Sequence, residues 1–215
     1  MSKRVKNKKY QPYSKSNNSE RWMMLSLKKE LTPSIALYPT PVVLATSIDE
    51  KGKPNICTLA WAGVVCSEPP QIGISIRPSR YSHGLISKTM EYVVNIPTSD
   101  IVKETDYCGM VTGKNVDKFK ETKLTPVKAK KVKPPLIKEC PVNLECKVKN
   151  VIKLGAHDLF IGEIVNINAD ADVMDSPTSI NFGKLKAITW NPISREYYTL
   201  GKALGVYGFS QQSNK

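Results

Sequence analysis

From about Pro41 onward, apolar and β-branched stretches of four to eight residues recur between turn signals. That rhythm constrains the chain more than any other feature, because it is the pattern of pleated strands. Val42 to Ile48 reads as a strand, Asp49-Glu50-Lys51-Gly52 as a turn, and Asn55 to Cys66 as a second strand closing the hairpin. Ser67-Glu68-Pro69-Pro70 ends it, and Gln71 to Ile76 follows as a third strand. A short helix from about His83 to Met90, with Ser82 as its N-cap, precedes the strand Tyr92 to Ile96. Residues 99 to 122 look helical. Val142 to Leu154 and Leu159 to Asn168 are two long strands joined by the tight Gly155-Ala156-His157-Asp158 connection, and Leu185 to Trp190 is a last strand candidate. The stretch Tyr197 to Phe209, with three glycines, is left unassigned. The expected class is mainly β, a barrel or sandwich with a few short helices. A chain of 215 residues is long enough for one domain with a sizeable core.

The net charge of +13 invites a nucleic-acid reading until the charges are located. Residues 1–30 hold nine basic and two acidic residues, residues 114–138 hold another nine and two, and the rest of the chain is near neutral. The first run is polar and reads as a solvated, disordered extension, with 31–210 as the single folded domain; an RNA-binding arm is the other reading. The second run carries Pro126, Pro134 and Pro135 among its lysines and suits a surface excursion, either simply solvated or beside a site for an anionic ligand. No apolar run is long enough for a bilayer, and Met23 to Leu27 is too short for a signal peptide, so no membrane association or export is expected. Five cysteines without a CxxC pair and only two histidines predict reduced, mostly buried thiols, no metal site and a cytoplasmic setting.

Most motif-like fragments carry little. Ser87-Lys88-Thr89 after Gly84 lacks the second glycine and the feeding strand of a phosphate-binding loop, and there is no GxGxxG. Cys57 or Cys108 with a histidine and a carboxylate has no hydrolase spacing. Asn55 to Ser82 is more informative. On a strand, Asn55, Cys57, Leu59 and Trp61 share one face while Ile56, Thr58, Ala60 and Ala62 share the other. An amide and an indole then stand together among small residues that let a flat heteroaromatic ring approach the backbone; core packing of Trp61 is the alternative. Arg77-Pro78-Ser79-Arg80-Tyr81-Ser82 leads from a strand into a helix start and gathers guanidinium groups, hydroxyls and helix N–H donors, which makes a phosphate-sized anion site or a solvated, serine-capped turn.

The same residues carry a resemblance. YPTPV (Tyr38 to Val42), NICTLAWAG (Asn55 to Gly63), SEPPQIGISIRPSRYS (Ser67 to Ser82), EYVVNIP (Glu91 to Pro97), DYCG (Asp106 to Gly109), DKF (Asp117 to Phe119) and GAHDLFIGEIV (Gly155 to Val165) together resemble the flavin reductase-like, flavoredoxin family across residues 36 to 209. The resemblance implies an FMN-binding split β-barrel, usually a homodimer with FMN near the subunit interface, acting in electron transfer or flavin reduction. It implies that Asn55 and Trp61 hold the isoalloxazine, that Cys57, Thr58, Ala60 and Ala62 are also cofactor-binding, and that Arg77, Ser79, Arg80, Tyr81 and Ser82 bind the phosphate. Lys118 matches a lysine that reaches the cofactor, and His157 matches a histidine beside the flavin, the one catalytic candidate. Trp190 either stacks near the flavin or packs in the core. Three functions stay open: an FMN-dependent electron carrier served by a redox partner protein, an NAD(P)H-dependent flavin or ferric reductase, and a basic barrel that binds nucleic acid. The last is disfavoured because Phe119 is the only aromatic residue among the lysines of 114–138.

Overall fold

The computed structural model describes residues 29–211. The chain divides into two units, Met1–Ile35 and Ala36–Lys215. Of the first, residues 29–35 are exposed and form no helix or strand, and the basic extension expected over 1–30 lies, but for its last two residues, outside the described residues. The second unit carries, in chain order, β1 (Thr40–Pro41), β2 (Val43–Ile48), β3 (Pro54–Leu59), β4 (Ala62–Ser67), β5 (Pro70–Ile76), α1 (Tyr81–Thr89), β6 (Glu91–Ile96), α2 (Val102–Met110) and α3 (Lys118–Thr122). Then follow β7 (Pro126–Val127), β8 (Leu136–Ile137), β9 (Val142–Lys153), β10 (Asp158–Ala169), β11 (Met174–Ser176), β12 (Ser179–Ile180), α4 (Phe182–Leu185), β13 (Ile188–Asn191) and β14 (Glu196–Thr199). The domain is the mainly β split barrel that the strand pattern and the motifs lead one to expect.

Seven strands form one antiparallel sheet in the order β3-β2-β6-β9-β10-β5-β4. β3 and β4 are separated only by Ala60 and Trp61, yet they occupy opposite edges of that sheet. Two residues cannot span a flat seven-stranded sheet, so the sheet curls until its two edge strands adjoin at this corner without pairing to one another. Ser75 N–H on β5 donates to Trp61 C=O at 2.8 Å across the corner. The continuous strand expected over Asn55 to Cys66 is therefore two strands with a corner at Ala60-Trp61.

The barrel interior holds Val43, Ala45, Ile74, Val94 and Phe160 around the fully buried Tyr92. Tyr92 hydroxyl donates to Ile72 C=O at 3.0 Å, and its ring lies against Gly162, where any side chain would collide with it. The β9–β10 ladder shifts register at Ile161/Gly162, the bulge that makes this room. A second core, with Leu44, Ile56, Cys108, Phe119 and Ile137, covers the outer faces of β2 and β3 with α2, α3 and β8. This is why every residue of β2 is buried.

Several expected boundaries move. α1 begins at Tyr81 with Arg80 as N-cap, so Ser82 lies inside the first turn; its hydroxyl accepts from Asn55 instead of capping the helix. The helical stretch expected over 99–122 is interrupted at residues 111–117, and Asp117 restarts it by accepting from Lys120 N–H at 3.2 Å. At the last strand candidate, Lys186 adopts a left-handed conformation (φ 50°) that ends α4, and β13 begins only at Ile188. The unassigned C-terminal stretch contributes β14, which pairs with β13. Among the described residues no helix is long and apolar enough to cross a membrane.

Two buried polar centres pin the excursion of residues 126–140 to the barrel. Asn95 on β6 donates to Leu44 C=O and accepts from Ile137 N–H and Asn143, all at 2.9 Å. The fully buried Glu145 carboxylate accepts from the Asn166 and Asn168 amides and from the N–H groups of Lys130 and Lys131. Burial pushes the Glu145 pKa up, but those four donors pull it down further, leaving it below the ordinary glutamate value. A depressed folded-state pKa contributes stability above the unfolded value of about 4.3, and that stability is lost as pH falls through the folded one. Glu145→Gln is expected to cost about 1–3 kcal/mol at pH 7, where an amide strands charge-assisted donors, and far less near pH 3. Thermal midpoints of both proteins at the two pH values check this; an equal deficit at both would contradict it.

Candidate functional site

A cavity of about 310 Å³ opens between the free edge of β3, the turn from β5 into α1, and the α2–α3 loop. Of the residues singled out in the sequence, Asn55, Cys57, Thr58, Ala60, Trp61, Arg77, Ser79, Arg80, Tyr81, Ser82, Lys118 and Trp190 line it. Two do not. Ala62 lies past the corner and packs against the barrel core, and His157 sits half-buried in the β9–β10 hairpin, its Nε2 accepting from Arg77 Nε at 3.4 Å. Burial and the Arg77 guanidinium push the His157 pKa down. The alternation expected to place Trp61 beside Asn55 ends at Ala60; the corner, rather than strand pleating, brings Trp61 to the cavity. Because the cavity wraps the edge of β3, residues from both of its faces reach it, Cys57 and Leu59 from one and Thr58 and Ala60 from the other.

One end of the cavity is built for an anion. α1 is nine residues long, has no acidic residue in its first turn, and its N-cap, Arg80, makes no side-chain cap bond; His83 N–H turns back to Arg80 C=O, while the N–H groups of Tyr81 and Ser82 stay open. Asn55 Nδ2 donates to Ser82 Oγ at 2.7 Å, which leaves the Ser82 O–H to donate elsewhere. Asn55 Oδ1, on a side chain nine-tenths buried, has no hydrogen-bond partner. Arg77, Arg80 and Lys118 all line the cavity, and among the described residues none forms an ion pair with a carboxylate. Three cations brought together without counter-charge repel one another until an anion joins them.

Lys118 also holds the wall together. Its ammonium donates to Ile56 C=O at 2.7 Å and Cys108 C=O at 2.6 Å, tying the edge of β3 to α2. Thr58 Oγ1 adds a bond to Thr105 C=O at 2.6 Å. Burial lowers the Lys118 pKa, and the neighbouring thiols Cys57 and Cys108 oppose that shift. Burial raises both thiols in turn, Cys108 to about 11, so neither is an activated nucleophile at neutral pH. All five cysteines are free, and among the described residues no three His, Cys, Asp or Glu side chains gather closely enough to hold a metal ion.

Local sequence pattern did not reveal the part played by the end of α2 and the loop that follows it. Cys108, Gly109, Val111, Thr112 and Gly113 line the cavity, together with Leu59, Ser75 and Ile76. A side chain at Gly113 would run into the Asn55 amide, so only glycine lets this loop close over the strand. The DYCG motif marked the segment, but nothing local says that it faces Asn55, far away in sequence. Trp190 arrives from the opposite end of the chain because β13 pairs with β1, with Thr40 Oγ1 donating to Trp190 C=O at 3.1 Å. Its ring packs on Tyr197 at 4.7 Å, and the Tyr197 hydroxyl donates to Asp106 on α2 at 3.0 Å. An aromatic wall and an unpaired strand edge at one end, with cations and open N–H donors at the other, suit a flat heterocycle carrying a phosphate ester.

Comparison with known proteins shows the family. The model of the flavin reductase like domain family matches residues 35–189. Flavoredoxin of Desulfovibrio vulgaris (Miyazaki F) superposes with a TM-score of 0.82 at 34% identity, covering 86% of this chain and 100% of that one. Flavoredoxin from Methanosarcina acetivorans superposes at 0.79 with 30% identity, covering 86% of this chain and 97% of that one. An uncharacterized protein of Archaeoglobus fulgidus is 38% identical over 146 residues, 68% of this chain and 81% of its own length.

The double role of Lys118 yields a distinctive expectation. Lys118→Met keeps the stem but strands two buried carbonyls, at about 1–3 kcal/mol each, so the variant should unfold at lower urea than the parent even without ligand. A urea midpoint unchanged in ligand-free protein would show that the ammonium contributes charge alone.

Proposed function

Since the chain belongs to the flavin reductase-like family, we propose that it is a flavoprotein that binds FMN in this cavity and serves as an electron carrier. One observation carries the choice of FMN: Arg77, Arg80 and Lys118 line a single cavity beside open helix N–H donors with no carboxylate to neutralise them. In this reading the guanidinium groups, the Ser82 hydroxyl and the first turn of α1 hold the phosphate. The Asn55 carbonyl, the free edge of β3, Trp61 and Trp190 surround the ring. Bound FMN would supply the redox chemistry, accepting and releasing electrons. Asn55 and Lys118 fix the wall against which the ring rests. His157 stands outside the cavity lining, with Nε2 engaged by Arg77, which suits a residue beyond the rim better than a proton donor to a nicotinamide reaction and favours the carrier over the reductase.

Homodimerisation belongs to the same reading. β4 is a terminal strand of the sheet, and Val64 and Val65 on it are 75% and 50% exposed, an apolar edge that calls for cover. Sedimentation should show a dimer that Val64→Glu converts to monomer; a dimer that survives the change would pair elsewhere.

The cofactor assignment is tested by the visible spectrum of the purified protein, extraction of its flavin, and titration of the stripped protein with FMN and riboflavin. Charge-assisted bonds are worth about 1.5–3 kcal/mol, so Arg80→Ala should weaken FMN binding roughly tenfold to a hundredfold and leave riboflavin nearly unchanged. Equal losses for both ligands would refute the phosphate assignment. Mixed anaerobically with NADH or NADPH, the loaded protein should stay yellow; bleaching within seconds would make it a nicotinamide-dependent reductase.

A further inference from the structure

Eight of the nine lysines between Lys114 and Lys138 are exposed, and among the described residues none of these eight forms an ion pair. Four neighbouring carboxylates are engaged with backbone instead, and Glu121 on α3 forms no ion pair with these lysines among the described residues. Glu145 accepts from the N–H groups of Lys130 and Lys131, Glu91 from Lys133 N–H, Asp117 from Lys120 N–H, and Glu139 from Thr125 N–H. These acids thus fix the path of the chain while leaving the ammonium groups without partners. The segment is anchored from beneath by Ala129, Val132 and Leu136 packed on Val93, and by Thr46 Oγ1 donating to Pro135 C=O at 2.5 Å. Its charge therefore stands on a fixed frame. It also starts at the cavity: Lys114 directly follows Gly113 in the lining, and Lys120 lies two residues beyond Lys118.

We infer that the exposed lysines of residues 114–138 form a docking face for a small acidic electron-transfer protein, which this face steers to the cavity mouth. A single-signed patch beside a site raises encounter rates by about 10- to 1,000-fold at low salt, through a field that reaches about 30 Å at 0.01 M and 10 Å at 0.1 M salt. Nucleic acid fits less well, because Phe119, the one aromatic residue of the segment, is buried in the second core and leaves no ring to stack on a base. The inference rests on the electron-carrier reading. Each encounter moves one electron from the reduced partner, which is oxidised, to the bound flavin, and two encounters with two protons from solvent complete the reduction.

The test uses the full flavin-loaded chain with a small acidic ferredoxin as probe, and the triple variant Lys114→Glu, Lys120→Glu, Lys131→Glu beside the milder Gln triple. Calorimetric binding of oxidised ferredoxin should weaken at least about tenfold in the Glu triple at low salt, less in the Gln triple, and the parent's affinity should fall steeply with added salt. Reduction of the flavin by reduced ferredoxin should slow in parallel, while reduction by dithionite, flavin content and melting temperature hold. Ferredoxin binding that is absent, insensitive to salt, or equal in parent and variants with flavin content intact would overturn the docking face. So would tighter capture of a single-stranded oligonucleotide by the same lysines. A chain that takes up no flavin yet still binds ferredoxin through these lysines would refute the FMN reading while upholding the face.

Discussion

The corner at Ala60-Trp61 is the constraint on which the rest of this structure depends. Because two residues carry the chain from one edge of a seven-stranded sheet to the other, the sheet must close on itself, and β3 ends with one side paired to β2 and the other free. A free edge beside a closed barrel leaves backbone groups unpaired, and the molecule covers part of that edge with Lys118 and α2 while leaving the remainder to the cavity. The barrel and the site are thus one solution to one topological problem.

The electrostatics follow the same economy. Lys118 is buried because it satisfies two carbonyls that the edge of β3 and the end of α2 would otherwise leave bare, and its charge then lies beside two thiols and near Arg80. Near the cavity, positive charge accumulates without acids to balance it; along residues 114–138 the eight exposed lysines form no ion pair among the described residues, while Asp117 and the nearby Glu91, Glu139 and Glu145 bind backbone N–H groups. Charge left unpaired in both places is the physical basis for expecting an anionic ligand inside and an acidic partner outside.

Packing sets how far each element can drift. Tyr92 against Gly162 fixes the β9–β10 bulge from inside the barrel, while Asn95 and Glu145 fix the excursion from outside by saturating buried polar groups. Such polar centres specify position more than they add stability, since each bond replaces one to water. They keep the α2–α3 loop and the lysine-bearing segment in register with the strands they serve.

Much of this was legible in the sequence. The short β-branched runs between turns determined a mainly β domain, and the Arg77 to Ser82 segment displayed guanidinium groups and hydroxyls beside a helix start through residue types that act locally. What local pattern cannot express is which edges meet. The alternation of Asn55 to Trp61 continues past Ala60 without a break, so it read as one strand; only closure of the sheet turned it. Ser82 looked like a cap because Asn55, its actual partner, lies 27 residues away. Gly113, Trp190 and the outward placement of His157 were likewise decided by long-range pairing. The sequence by itself determined the strand-forming segments and the charges they carry, because propensity and periodicity act over a few residues; the tertiary structure alone decided which of those charges share a cavity, because burial and strand pairing join residues that no short window contains.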